Sequence, residues 1–397
     1  MAALRTPRVD PDAPTECVIF VDCPDPDNFV LVVCAALLRG ARHVVLTGRP
    51  ANFNVASRPF NPRTCARTPD EVDGPEDGRS ALRASAAHLR RFARSQGIVD
   101  LRLYDGGVAA TALVAHAEHV HEYLFGRPDL AARCGADRAS ASGGECVTPA
   151  GYAALVAALD AKGRARARTV REWLATDGDG SLAPLGALAA ACSGRRVEAL
   201  VGGPLTALAA VAKAFPAFAA SVERVRAMAC AWDVGAANLF ANQFNVGADL
   251  WAAVKILTEA SPLGCGVSLY TTEFCKAALA LTPAEIRSHA APEIADLYDL
   301  WHALTGGRGT ATLFDLAPLL DALDGPLAPS VAVRCQLGRD GVFRIEPRET
   351  AAAASGIRAT APVTDAATAA KAKAKLLAAL GAAKVAAAAA KAGPATA

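Results

Sequence analysis

The sequence predicts an α/β protein: a single large domain with a central, mostly parallel sheet flanked by helices. Three observations lead there. Short apolar runs rich in β-branched residues alternate with helical stretches, the pattern that places parallel strands between covering helices. Arg196 to Phe215 reads as a complete βα unit, with strand Val197-Glu198-Ala199-Leu200-Val201, a Gly202-Gly203-Pro204 turn and a helix from Leu205. A length of 397 residues suffices for one large α/β domain or two ordinary ones.

Residues 1–16, with prolines and charges and no apolar run, read as a flexible lead-in. Cys17-Val18-Ile19-Phe20-Val21 is a fully buried strand, because five apolar residues in succession leave no polar face. A helix containing Leu31 to Leu38 follows, then a strand at His43-Val44-Val45-Leu46-Thr47. Residues 49–78, rich in Pro, Arg, Asp and Gly, read as a long loop. Ser80 to Ser95 is an amphipathic helix, Val99 to Tyr104 a strand, and residues 126–149 a Gly/Ser-rich connection. After the central βα unit, strands are expected at Val225 to Cys230 and Gly266 to Tyr270. From 351 the composition turns to Ala and Lys, which favours helix but offers little bulk for docking. The expected division is therefore a lead-in over 1–16, the domain over 17–350, and a peripheral or disordered tail over 351–397 without catalytic chemistry.

Composition excludes several functions. Basic and acidic residues nearly balance, 41 against 39, so overall charge gives no reason to expect a nucleic-acid partner. The local cluster Lys162-Gly163-Arg164-Ala165-Arg166-Ala167-Arg168 reads as a solvated helix end. The 11 cysteines are scattered through apolar runs without a CxxC pair, which argues against zinc and for reduced, buried thiols in a cytoplasmic protein. The N-terminus lacks the apolar core of a secretory signal, and no stretch approaches the ~18 apolar residues of a membrane span.

The chemistry gathers where strands end, which is where ligands bind in open α/β sheets. "DCPDPDN" places Asp22, Asp25 and Asp27 directly after the first strand, each raising the cost of ionising its neighbours. A solvated turn is the ordinary reading of Pro and Asp together. Further along come Gly203-Pro204-Leu205-Thr206, then Gln243-Phe244-Asn245 with Asp249, then Phe314-Asp315 at the head of a helical pattern.

In order and rough spacing, DCPDPDN, GPLTALA, QFNVGAD and LFDLAPLL resemble the inosine/uridine-preferring nucleoside hydrolase family. Its members carry a DxDPGxDD aspartate cluster, GPLTNLA, EFN followed by an Asp, and a late His-Asp pair. The resemblance covers about residues 17–330. It implies hydrolysis of the N-glycosidic bond of ribonucleosides, purine or pyrimidine, assisted by Ca2+ held at the carboxyl ends of the strands. A divalent ion would offset the repulsion among clustered carboxylates, and calcium's six to eight oxygen ligands suit such a set. By the same resemblance Asp22 and Asp27 are metal ligands, Asp315 the last metal carboxylate, and Thr206 the source of a carbonyl ligand. Asp22 and Asp25 are the catalytic candidates, Asp25 as ligand or base. Asn28, Gln243 and Asn245 stand at substrate positions, the last two where the family binds ribose. Two alignments remain open: Asp22 and Asp27 as the two early metal aspartates, or Asp22 as the first Asp with a one-residue deletion before Asp27-Asn28.

The departures are specific. Pro24, Pro26 and Asn28 thin the aspartate motif, Gln243 replaces a Glu, and Phe314 replaces the His beside the metal Asp. Two functions are thus expected: a calcium-assisted hydrolase with a divergent site, or a pseudoenzyme serving as a binding or assembly subunit. The implied partner is a small ribonucleoside, with homo-oligomerisation left open. Glu273, in Thr271-Thr272-Glu273-Phe274, reads as a solvated loop acid. His116, His119 and His121 with Glu118 and Glu122 lack HExxH spacing and read as a polar helix face. The glycines Gly306, Gly307 and Gly309 lack the Lys-Ser/Thr of a phosphate loop, and Trp232, Trp251 and Trp301 read as core. An aspartyl phosphatase would need an acid where Pro24 stands.

Overall fold

The first strand is buried on both faces: Cys17, Ile19 and Val21 enter one apolar core, and Val18 and Phe20 enter the other. That alternation is possible only in the middle of a sheet covered on both sides. The computed structural model describes residues 12–22, 26–48, 75–108, 179–233, 242–258, 261–304, 309–338, 342–348, 356–362 and 364–392. Of the loop expected over 49–78, residues 49–74 lie outside these residues and 75–78 instead begin a helix that runs to Ser95. The connection over 126–149, the basic cluster at 162–168 and the histidines near 116–121 also lie outside.

In chain order the described elements are β1 (Thr15–Asp22), α1 (Pro26–Arg39), β2 (His43–Gly48), α2 (Pro75–Ser95), β3 (Arg102–Val108), α3 (Leu185–Ala191) and β4 (Arg196–Val201). Then come α4 (Thr206–Ala214), α5 (Pro216–Ser221), β5 (Val222–Met228), α6 (Phe244–Gly247), α7 (Leu250–Leu257), β6 (Gly266–Tyr270) and α8 (Thr272–Ala278). The chain continues through β7 (Ala280–Leu281), α9 (Pro283–His289), α10 (Pro292–Leu304), β8 (Ala311–Thr312), α11 (Leu316–Asp324), β9 (Ser330–Leu337), β10 (Phe343–Pro347), β11 (Ile357–Thr360) and α12 (Ala366–Ala392).

The sheet has nine strands in the order β10-β9-β11-β6-β5-β4-β1-β2-β3. Pairings from β3 across to β11 are parallel, and β9 and β10 extend that edge in antiparallel fashion. Helices α1, α11 and α12 pack in one core and α4 and α7 in the other. The expected fold class therefore holds. Among the described residues no helix is long and apolar enough to cross a membrane. The seven described cysteines are free and buried, and burial pushes the Cys34 thiol up to about 12.

The third strand runs Arg102–Val108, later than the expected Val99–Tyr104, and Val99 is exposed. β5 ends at Met228, two residues before the expected Cys230, because Cys230 adopts φ 71°, a left-handed conformation no strand can continue through.

The expectation of a peripheral tail is overturned for two segments. Ile357–Thr360 lies inside the sheet, parallel to β6 on one side and antiparallel to β9 on the other. Helix α12 buries Ala372, Leu376, Ala379, Leu380, Ala383 and Ala387. These recur at helical spacing and form a stripe against the core. Small alanines let α12 approach closely: a Cβ on Gly97 would stand 2.7 Å from that of Ala390. The lysines on either side reach out to neighbouring elements. Lys375 Nζ donates to the carbonyls of Asp324 and Gly325 at the end of α11, at 3.0 and 3.3 Å. Lys373 pairs with Glu285 at 2.8 Å and Lys391 with Glu293 at 2.6 Å. The Lys373 contact, together with the backbone at Thr282, holds the Glu285 carboxyl down at about 2.

Candidate functional site

At the carboxyl edge, β1 ends on Asp22, and α1 begins four residues later at Pro26, a residue whose fixed φ suits a first helical position. Asp27 lies in the first turn of α1, where the helix dipole favours an acid. Asn28 is buried, and its Nδ2 donates to Asp22 Oδ1 at 3.0 Å. Asn28 Oδ1 is buried with no hydrogen-bond partner among the described residues. Asp25 lies outside the described residues.

The turn after β4 explains why two glycines stand together. A Cβ on Gly203 would lie 2.5 Å from the backbone nitrogen of Asp22 and 3.0 Å from its Oδ1. A Cβ on Gly202 would lie 2.8 Å from Asp315 Cβ and 3.0 Å from its Cγ. Asp22 and Asp315, 293 positions apart in sequence, thus press on adjacent residues of one turn. Asp315 is buried at the head of α11 and makes no capping bond to that helix.

Asp27 joins the same region. Burial raises the Cys275 thiol well above its ordinary value, and the charges of Asp315, Asp27 and Glu273 raise it further, in that order. Cys275 Sγ also points to the carbonyl of Phe314 at 3.9 Å. Phe314 packs against the core beside Asp315. The charges of three carboxylates, from α1, α8 and the head of α11, thus act on one buried thiol. Even so, among the described residues no group of three or more His, Cys, Asp or Glu closes around a single metal position.

The amide side chains bridge strand ends. Asn245 Nδ2 donates to the carbonyls of Gly202 at 3.2 Å and Met228 at 2.9 Å, joining β4 to β5. Gln243 Oε1 accepts the Asn245 N–H at 2.9 Å and caps α6, while its Nε2 faces Met228 Sδ at 3.4 Å. Thr206, the first residue of α4, donates its hydroxyl to Asp249 Oδ2 at 2.8 Å, and Asp249 Oδ1 caps α7.

Glu273 is not a solvated loop acid. It sits in the first turn of α8, and its Oε1 accepts the backbone N–H groups of Trp232 and Asp233 at 2.9 and 3.0 Å. Its Oε2 is buried with no partner among the described residues. Thr272 N–H donates to the Cys230 carbonyl at 3.1 Å, so α8 fixes the left-handed Cys230 segment from both sides. Trp232 Nε1 in turn donates to the Thr360 carbonyl at 2.8 Å, so β11 helps position this rim. The sequence signal for Glu273 was an acid in the first turn after a strand, the position that faces a ligand in this fold class.

By sequence the chain matches no protein-family model and no curated protein. By structure it is similar to a purine-preferring ribonucleoside hydrolase from Gardnerella vaginalis, with a TM-score of 0.53 at 14% identity, covering 92% of this chain and 99% of that one. A plant nucleoside hydrolase gives 0.52 at 15% identity, covering 92% of this chain and 100% of the other. A type III effector protein complexed with adenosine diphosphate ribose gives 0.51 at 16%, covering 95% of this chain and 94% of the other. The chain has a nucleoside hydrolase-like fold.

Proposed function

We propose that this chain hydrolyses the N-glycosidic bond of ribonucleosides, with calcium and with a divergent acid–base arrangement. The observation behind this reading is the meeting of Asp22 and Asp315 on Gly202-Gly203, where a Cβ at either glycine would intrude. Fold likeness to nucleoside hydrolases supports it.

The residues suit calcium in kind. Asp22, Asp27 and Asp315 offer hard oxygen donors, and Asn28 Oδ1 is a buried acceptor still without a protein partner among the described residues. Asp22, Asp27, Asp315 and the Thr206 carbonyl would hold the ion, Asp25 being a further candidate. When bound, calcium supplies charge that acidifies water. The chain's own groups then act in three ways. Asp22 or Asp25 accepts the proton of the attacking water. The clustered carboxylates stabilise positive charge developing on the ribose ring as the bond to the base breaks. Asn28, Gln243 and Asn245 bind ribose hydroxyls, exchanging internal hydrogen bonds for ligand ones.

A second reading is favoured by one observation. The amides of Gln243 and Asn245 are already used to cap α6 and bridge strand ends, and an aromatic ring stands beside Asp315. A site built this way serves a binding or assembly subunit as well as an enzyme. The structural neighbour complexed with adenosine diphosphate ribose gives that reading a ligand class to try.

Steady-state assays separate the two. With no imidazole at 314, base protonation falls to water or another side chain, and general acid catalysis is worth ~10²–10⁴-fold. Activity is expected to be strongest on p-nitrophenyl riboside, whose leaving group needs no proton, and weak on inosine. Phe314→His should raise the inosine rate more than the activated one. Folded protein that hydrolyses neither substrate would leave the binding reading standing. Calcium gives an independent readout: at a hundredfold excess over Kd it should stabilise the fold by about 2.7 kcal/mol. The rise in melting temperature should shrink in Asp27→Ala and Asp315→Ala; a melting curve indifferent to calcium would remove the metal from the mechanism.

A further inference from the structure

Away from the carboxyl edge, one face of the sheet brings three arginines together. Strand register places Arg226 beside Ser268, and Arg358 beside Ser268 on its other side, with Arg224 beside Gly266. Alternate residues of a strand share a face, so all of these lie on the side where Arg226 pairs with Asp321 of α11. Gly266, Ser268 and Gly356 form a low floor, and the chain from Gly325 to Ala328 forms a wall. Between them is a cavity of about 320 Å³, lined also by Asp321 and Tyr270. That volume lies within the ~300–1,000 Å³ of small-molecule sites. None of the carboxyl-edge residues discussed above as ligands or bases lines it.

Its charge is unbalanced. Arg226 is buried and pairs with both Asp321 and Glu198, and Glu198 also pairs with Arg39 at 2.6 Å. Those two arginines and two carboxylates cancel. The Arg224 side chain makes no hydrogen bond or ion pair among the described residues, its backbone being paired in the sheet. Arg358 spends Nε and Nη2 on the Ser330 hydroxyl and carbonyl, at 3.0 and 2.6 Å, neither of which carries charge. Two uncompensated guanidiniums thus flank a floor of small side chains from opposite strands. Planar guanidinium forks recognise oxyanions through paired N–H donors.

We propose that this cavity binds a small dianion, a phosphate ester or a dicarboxylate, held between Arg224 and Arg358 over Gly266 and Ser268. The anion replaces solvent at two charges the fold leaves unpaired, while the buried Arg226–Asp321–Glu198 network keeps the floor rigid beneath it.

Calorimetry on the full chain tests this with glycerol 3-phosphate, succinate and neutral glycerol at matched ionic strength. One of the two dianions is expected to bind saturably and glycerol not at all; which dianion binds tighter identifies the source. The double variant Arg224→Gln, Arg358→Gln should weaken binding by roughly tenfold or more. Both positions are exposed, so the variant's melting temperature without ligand should match the wild type. Nucleoside hydrolysis and the calcium response should be unaffected, so failure at either site is read separately. Absence of binding by both dianions at millimolar concentration overturns the proposal, as does undiminished binding by the double variant.

Discussion

Gly203→Ala is expected to cost about 3 kcal/mol of stability, at the upper end for overpacking, and to abolish any activity. The added methyl would stand 2.5 Å from the Asp22 nitrogen and 2.9 Å from the Val21 carbonyl carbon. Both are backbone atoms of an inner strand hydrogen-bonded on two sides, so neither can move aside alone. Gly202→Ala is the informative comparison, because its methyl meets side chains: Asp315 Cβ at 2.8 Å and Leu31 Cδ2 at 3.0 Å. Leu31 Cδ2 can rotate away, but Asp315 Cβ moves only with its backbone at the head of α11, so this variant should lose less stability than Gly203→Ala and displace the Asp315 carboxylate. Thermal melts with and without calcium separate the outcomes. Gly203→Ala should melt earliest in both, whereas Gly202→Ala should melt between it and wild type and lose its calcium response. A Gly203→Ala protein as stable as wild type would mean that the β4 turn does not press on Asp22.

Leu380→Ala in the long C-terminal helix is expected to destabilise the domain by about 2–5 kcal/mol, the range for emptying a packed core site. Leu380 and Leu376 are fully buried, and α12 lies against α1, α8, α9 and α11. Lys375→Ala, on the same helix, removes a donor to the final carbonyls of α11 and should cost only ~0.3–1 kcal/mol. Chemical denaturation of both variants gives the contrast. Equal, small effects would return α12 to the peripheral role its composition suggests.

Legibility followed side-chain bulk. Cys17 to Val21 and His43 to Thr47 read as strands because apolar, largely branched residues run together, and Gly266 to Tyr270 because Val267 and Leu269 alternate with small residues. α12 was misread for the opposite reason: its buried stripe is mostly alanine, with only Leu376 and Leu380 as bulky residues. β11 was missed because Ile357-Arg358-Ala359-Thr360 is four residues long and has no apolar run, its place being set by partners on both sides. At the site, strand ends and motif order place Asp22 and the glycine turn on the same edge of the sheet, whereas their contact is set by the fold. The bond from Asn28 to Asp22 and the role of Glu273 as a backbone clamp depend on where helices begin relative to strands, which composition does not encode.

The place of β11 also sets an order of events during synthesis. Until residue 360 has left the ribosome, β6 and β9 each have an unpaired edge, since the strand that joins them has not yet emerged. At ~5–20 residues per second, the early strands can assemble long before that, leaving a growing chain with an exposed apolar edge. Closure therefore waits until the other eight strands of the sheet have been made. A premature stop between Pro347 and Ile357 would release a protein whose β6 and β9 edges stay open, ready to pair with another chain.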